Sequence, residues 1–418
     1  MTRTDVIVLG AGIIGTSVAL QLVKRGFAVA LVDKRGPGEG TSYGNAGIIE
    51  GDTLFPRPFP SDAATLLRVA TRLAPEANYH LTFLPRIAPW LLAYRAWSSP
   101  QRLIETAKLM RPLFAQALAE HEALMAESGA GRYLRKTGWL KLYRSGDTFG
   151  ETKRERRVAD DFGLAYRVLD TDGARALEPA LAPVFRHAVL WEDSASLSNP
   201  LAVTQAYAQR FVQLGGRLVK GDAMTLRRSA LACRVETSEG GIEAGHAVIA
   251  LGPWTNDLLR GVRLRLPLAV KRGYHRHYRP RGDASLARPV FDAEGGYVLA
   301  PMEQGIRLTT GAEFADRDAA PTPVQFGRIM PSAKQLFPLG AAVEAKPWMG
   351  SRPCLPDSRP VIGQAPGHPW LWIAAGHAHW GLTLGPVTGR LVAEMMSGAT
   401  PFCDPAPYRA ERFGPLRV

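Results

Sequence analysis

The spacing of apolar residues changes several times along this chain, and each change marks an element. Residues 6–9 (VIVL) form an unbroken apolar run, residues 13–24 repeat apolar positions at helical spacing, and residues 28–32 form a second run ending on Asp33. Together they predict one strand–helix–strand unit of about 30 residues. Residues 197–224 (LSNPLAVTQAYAQRFVQLGGRLVKGDAM) read as a helix, a glycine turn and a third strand of the same parallel sheet. Residues 246–259 (HAVIALGPWTNDLL) add another buried strand, a Gly-Pro turn and a helix start. Between 264 and 314 the pattern shortens to alternation, with Gly and Pro between LRLPLAVKRGYHRHYRP, GGYVLAP and IRLTTGAEF, which predicts a mainly antiparallel sheet. Near the end, WLWIAAG reads as a strand, followed by a glycine turn and a helix from about Leu382.

These elements predict an α/β Rossmann-type nucleotide domain assembled from residues 1–55, 195–258 and 345–418. The intervening residues 56–194 and 259–344 form a second, α+β domain built on the antiparallel sheet. A chain of 418 residues with 46% hydrophobic content has enough apolar surface for two such cores. No apolar stretch approaches the roughly 18 uninterrupted residues of a membrane span. The N-terminus runs directly into a strand with no small-residue cleavage site, so it reads as fold, not as a signal peptide.

Cys233, Cys354 and Cys403 are odd in number and far apart, which argues against a disulfide framework or a zinc ribbon and for a reducing, cytoplasmic compartment. The net charge of +13 is spread along the chain, with concentrations at KRERR (153–157) and from Arg260 to Arg281. That distribution reads as solvated faces, with attraction to an anionic substrate or an anionic membrane surface as the alternative. No nucleic-acid-binding module accompanies the charge.

Gly10, Gly12 and Gly15 make GxGxxG at the strand-to-helix junction. The first permits the tight turn, the second lets the backbone approach a pyrophosphate, and the third allows helix to pack closely on strand, with the phosphates at the helix N-terminus beside Ile14. Asp33, followed by Lys34, is placed to accept hydrogen bonds from ribose hydroxyls and would repel the 2′-phosphate of NADP, which leaves FAD or NAD.

Four further stretches, GEGTSYGNAGII, GPWTNDLL, WMGSRPCLPDSRPVIG and GHAHWGLTLGP, follow in that order. With the glycine motif they resemble the flavin-dependent amino-acid oxidase and dehydrogenase family, which includes D-amino-acid dehydrogenases, glycine oxidase and sarcosine oxidase. The resemblance covers nearly the whole chain and lies nearest the D-amino-acid dehydrogenase branch. It implies an FAD-binding Rossmann-type domain with Ser42, Asn45, Ala46 and Gly47 on the flavin side, Met224 near the adenine side, and Gly252 and Trp254 approaching from the other. It also implies hydride transfer from the Cα of a D-amino acid, or of D-proline or D-hydroxyproline, to flavin N5, giving an imine. The electron acceptor is then a quinone or oxygen. A sarcosine- or glycine-oxidase-type enzyme and an FAD subunit of a heteromeric dehydrogenase are the alternatives.

Arg352, in GSRPCLPD, is the expected carboxylate ligand, because a guanidinium offers planar, two-pronged recognition and keeps its charge. The resemblance makes Tyr274, His275 and Tyr297 candidates to face the substrate. Sarcosine oxidases attach flavin through a cysteine seven residues before the motif's aspartate; Gly350 stands there, so non-covalent FAD is expected. Residues 80–97, Pro-broken and aromatic, are similar to segments of relatives that meet a membrane quinone, which suggests peripheral contact with the inner face of the cell membrane. His377 and His379 lack a third metal ligand nearby, so no metal is expected. The turn Gly376 to Gly381 and the N–H groups of Gly381, Leu382 and Thr383 instead predict a cradle for the flavin pyrimidine ring. His377 and His379 are expected on one side of it, with His379 nearer the substrate.

Overall fold

The computed structural model describes residues 2–416 apart from 52–54, 61, 73 and 230; residues 1, 417 and 418, the outer limits of the expected nucleotide segments, lie outside the described residues. Thr2–Leu9 runs through a sheet of eight strands among the described residues, between Val29–Asp33 and Gly240–Ile249 and parallel to both. Arg217–Lys220 extends the sheet beyond Val29–Asp33, and His368–Ala375 joins Gly240–Ile249, again in parallel. Alternate residues of the first strand enter different cores. Val6 and Val8 pack with the helices, whereas Ile7 and Leu9 pack with Val235, Ile242 and Leu371 on the opposite face. Burial on both faces is why these strands are continuous apolar runs, and each fully buried Val or Leu contributes about 1.5–3 kcal/mol.

The first helix, Ile13–Val23, lies against the last, Gly381–Ser397. Their separation is set by small residues. A Cβ on Gly389 would stand 2.6 Å from the backbone of Ser17, and one on Gly385 2.8 Å from Ile13 Cγ1. Helix Pro100–Ser128 packs on the same last helix and buries His121.

The second sheet has eleven strands among the described residues. Its long strand, Ala269–Pro280, pairs antiparallel with Gly305–Thr309 and with Trp348–Cys354. Most pairings are antiparallel; Trp139–Tyr143 with Val290–Asp292 and Ala77–Tyr79 with Ala312–Phe314 are parallel. The strand carrying Arg352 corrects the expected grouping of 345–418, because it belongs to this sheet and sets Arg352 opposite Lys271. The Pro-broken segment is helical from Leu84 to Trp97, with Pro89 inside and Ile87, Trp90 and Tyr94 buried. Among the described residues, no helix is long and apolar enough to cross a membrane.

Candidate cofactor and substrate site

A cavity of about 1140 Å³ is lined from both sheets. Of the residues proposed from the sequence for cofactor or substrate, all but Gly15, Gly47, His275 and Thr383 border it. At one end the first helix starts at Gly12, which brings no side-chain cap of its own, so the first-turn N–H groups beyond Ile13 stay available for an anion. Ser42 Oγ accepts from Ile13 N at 2.9 Å. Asp33 accepts from Ala11 N at 2.7 Å and from Arg35 N at 2.9 Å, which fixes its carboxylate at the strand end. Lys34 pairs with Asp222 at 3.0 Å, and the Arg35 guanidinium lies 5.2 Å from the Trp254 ring centre.

The loop Thr41 to Gly47 forms another wall. Asn45 Oδ1 accepts from Gly47 N at 2.8 Å, while its amide donates to His379 O at 3.4 Å. Arg307, not singled out in the sequence, secures this loop from behind by donating to Tyr43 O at 2.9 Å and to Asn45 O at 2.6 Å. Its Nε donates to His277 Nε2 at 2.9 Å, and His277 Nδ1 pairs with Glu344. Burial pushes the Arg307 pKa down to about 10. The available signal was an arginine inside the buried alternating stretch IRLTT.

The last helix presents Gly381 and Leu382 to the cavity. Thr383 does not border the cavity itself; its hydroxyl accepts from Glu50 N at 3.2 Å and donates to Ile48 O at 3.3 Å, which ties the start of the helix to the strand beside it. The two histidines do not act as a pair either. Gly376 and Ala378 both have positive φ, 83° and 51°, so the chain twists between His377 and His379. His377 Nε2 is bound to Thr388 Oγ at 3.0 Å, and burial pushes its pKa down to about 3. The His379 ring opens into the cavity, where enclosure by protein and then the charges of Arg57, Arg352 and Lys271 hold its pKa well below the usual value. Among the described residues no group of three or more His, Cys, Asp or Glu is placed to hold a metal.

On the roofing sheet the candidates separate. The Tyr274 hydroxyl donates to Glu313 at 2.6 Å and accepts from Arg272 at 2.9 Å and Thr322 N at 2.8 Å, so it is spent in a buried network. Tyr297 likewise donates to Asp292 at 2.8 Å. His275 shares the strand face of Lys271 and Gly273 but is stacked under Trp348 at 4.9 Å and beside Tyr43 at 5.3 Å, away from the cavity. Its pKa is pushed down to about 2 by burial and then by the Arg307 charge. Arg352 is different. It borders the cavity and donates only to Gly311 O at 3.1 Å and Thr310 O at 3.5 Å, with no carboxylate partner among the described residues.

A helix start with N–H groups free beyond Ile13, a fixed carboxylate at the end of the second strand, and a glycine-rich turn between them suit a dinucleotide. The model of the family described as "DAO: FAD dependent oxidoreductase" matches residues 5–395. The chain belongs to this family. This FAD-dependent oxidoreductase is 30% identical over 420 residues to a D-amino-acid oxidase of Bradyrhizobium diazoefficiens, covering 98% of each chain. It is 31% identical over 409 residues to a D-amino acid dehydrogenase of Paramagnetospirillum magneticum, covering 94% of this chain and 95% of the relative. Among solved structures, glycine oxidase from Geobacillus kaustophilus superposes with a TM-score of 0.75 at 24% identity, covering 99% of each chain. L-Proline dehydrogenase from P. horikoshii follows with a TM-score of 0.73 at 20% identity over the full length of both.

Proposed function

We propose that this oxidoreductase oxidises the Cα–N bond of a small amino acid, with Arg352 binding the carboxylate. The observation that carries the reading is a guanidinium at the cavity wall whose hydrogen bonds go to carbonyls and whose charge no described carboxylate balances. Burial lowers the Arg352 pKa from its ordinary value, the direction expected for an uncompensated cation. FAD, when bound, supplies the two-electron acceptor for a hydride leaving Cα. The protein's part is positioning and charge. Arg352 fixes the substrate, the surrounding cations favour a neutral amine, and neutral His379 is placed to contact the substrate. No carboxylate base is required once the amine is deprotonated.

The names of the relatives support a D-amino acid; D-proline and D-hydroxyproline come from the sequence resemblance alone. The electron acceptor is oxygen or a quinone. Non-covalent FAD is supported by Gly350 and by Cys354, whose thiol pKa is raised by burial, which disfavours a reactive thiolate. Flavin remaining on acid-precipitated protein would overturn that part. The deciding experiment is anaerobic mixing of the holoenzyme with L- and D-amino acids, prolines and N-methylglycine. Flavin bleaching by a D-amino acid is the expected result, and failure of every compound to bleach it refutes the reading.

A second reading concerns the acceptor. Within residues 80–97, Leu81 and Leu92 are 61% and 66% exposed, which suits peripheral membrane contact and a quinone acceptor. Flotation with anionic vesicles tests it; a holoenzyme that stays at the bottom of the gradient rules it out.

A further inference from the structure

Arg352 is not the only unbalanced cation at this site. Lys271 stands directly opposite it on the adjacent antiparallel strand, so both side chains leave the same face of the sheet, and both border the cavity. The Lys271 ammonium sits in an aromatic enclosure, 4.1 Å from the Tyr94 ring centre, 5.0 Å from Trp90 and 5.8 Å from Phe314. The hydroxyl of that same Tyr94 donates to Arg57 O, which ties the Arg57 backbone beside it, and Arg57, its guanidinium 4.7 Å from the Phe291 ring centre, borders the cavity as a third cation. None of the three has a carboxylate partner among the described residues. The acids that border the cavity are engaged elsewhere: Asp33 with backbone N–H groups, Asp222 with Lys34, Glu76 with Arg68, Asp257 with Arg317, and Glu50 with the Trp380 indole. Like charges facing each other across a strand pair are destabilising. One carboxylate satisfies Arg352 and leaves Lys271 and Arg57 without a counter-charge.

We infer that the preferred substrate is a dicarboxylic amino acid, its α-carboxylate on Arg352 and its second carboxylate between Lys271 and Arg57. The inference rests on the amino-acid reading above and narrows its substrate class. Aspartate-like and glutamate-like substrates bring two negative charges to the three cations, whereas their amides bring one of nearly the same shape.

The test compares anaerobic flavin reduction by D- and L-aspartate and D- and L-glutamate with that by the corresponding asparagines and glutamines. The acids are expected to exceed the amides in second-order rate constant by about tenfold or more, because the amide oxygen can accept from the same donors but lacks the carboxylate's charge. Lys271→Gln and, separately, Arg57→Gln should shrink that ratio. Amides reacting as well as acids overturns the inference while leaving the amino-acid reading intact. An independent arm needs no turnover: titration of the oxidised holoenzyme with succinate and with butyrate, followed by flavin absorbance. Succinate should bind more tightly, and the difference should fall in Lys271→Gln. Equal binding of the two refutes the second anion site. If succinate is preferred but no amino acid bleaches the flavin, the amino-acid reading fails, and with it the proposed substrate.

Discussion

His121 gives the sharpest test of how the cofactor end is held together. It projects from Pro100–Ser128, is fully buried, and lies with Nε2 2.8 Å from Leu382 O and Nδ1 3.1 Å from the Tyr207 hydroxyl. A neutral ring with its proton on Nε2 donates to Leu382, in the first turn of the last helix, and its bare Nδ1 shares the single Tyr207 hydroxyl proton with His121 O, 3.2 Å away. Burial pushes its pKa down to about 4, although the bond to the Leu382 carbonyl works in the opposite direction. Because the folded pKa lies below the unfolded value of about 6.5, the resulting stability is complete above pH 6.5 and is lost as the pH falls toward 4. At pH 5 the loss is about 1.4 × 1.5, or about 2 kcal/mol. The assay is denaturant unfolding of holoenzyme at pH 7.5 and 5.0, wild type against His121→Gln, whose amide retains a donor toward Leu382 but does not titrate. The variant should be weaker by about 1 kcal/mol at pH 7.5 for the lost Tyr207 bond, yet lose about 2 kcal/mol less on acidification. His275 and His377, also depressed by burial, act equally in both proteins and cancel. Identical acid sensitivity of the two proteins would refute the reasoning.

Arg352→Met should weaken substrate carboxylate binding by about 2–4 kcal/mol while leaving the flavin spectrum in place; unchanged substrate saturation in stopped-flow reduction would remove its assigned role. Asp33→Ala removes the acceptor for Ala11 N and Arg35 N and should weaken FAD binding by about 1–3 kcal/mol, read from fluorescence titration of apoprotein. Arg307→Met leaves the carbonyls of Tyr43 and Asn45 without this donor, so a loss of about 3 kcal/mol in stability is expected. A melting temperature matching wild type would show that the loop is held by other means.

The strands of the first sheet were legible because both faces of each are buried, which writes an unbroken apolar run into the sequence. The last helix was legible from its glycine turn and periodicity. The roofing sheet was harder, since alternation assigns residues to two faces without saying how far the cavity reaches along each. Tyr274 falls on the face turned to Glu313, and His275 shares a face with Lys271 but lies under Trp348. The separation of His377 from His379 depends on a positive φ at Ala378, which no residue type there announces. Lys271 sat within a basic stretch read as solvated surface. Only strand pairing places it beside Arg352, some eighty positions further along the chain.

The first sheet sets strands from the beginning, middle and end of the polypeptide side by side: Thr2–Leu9 adjoins Gly240–Ile249, which adjoins His368–Ala375. During synthesis at about 5–20 residues per second, the first strand therefore waits roughly 20–70 s for the last to leave the ribosome. Throughout that interval the glycine-rich turn exists without the wall supplied by the final helix. Flavin capture is consequently a late event in the life of each nascent chain, and a chain halted before residue 381 should emerge colourless however well its opening unit has folded.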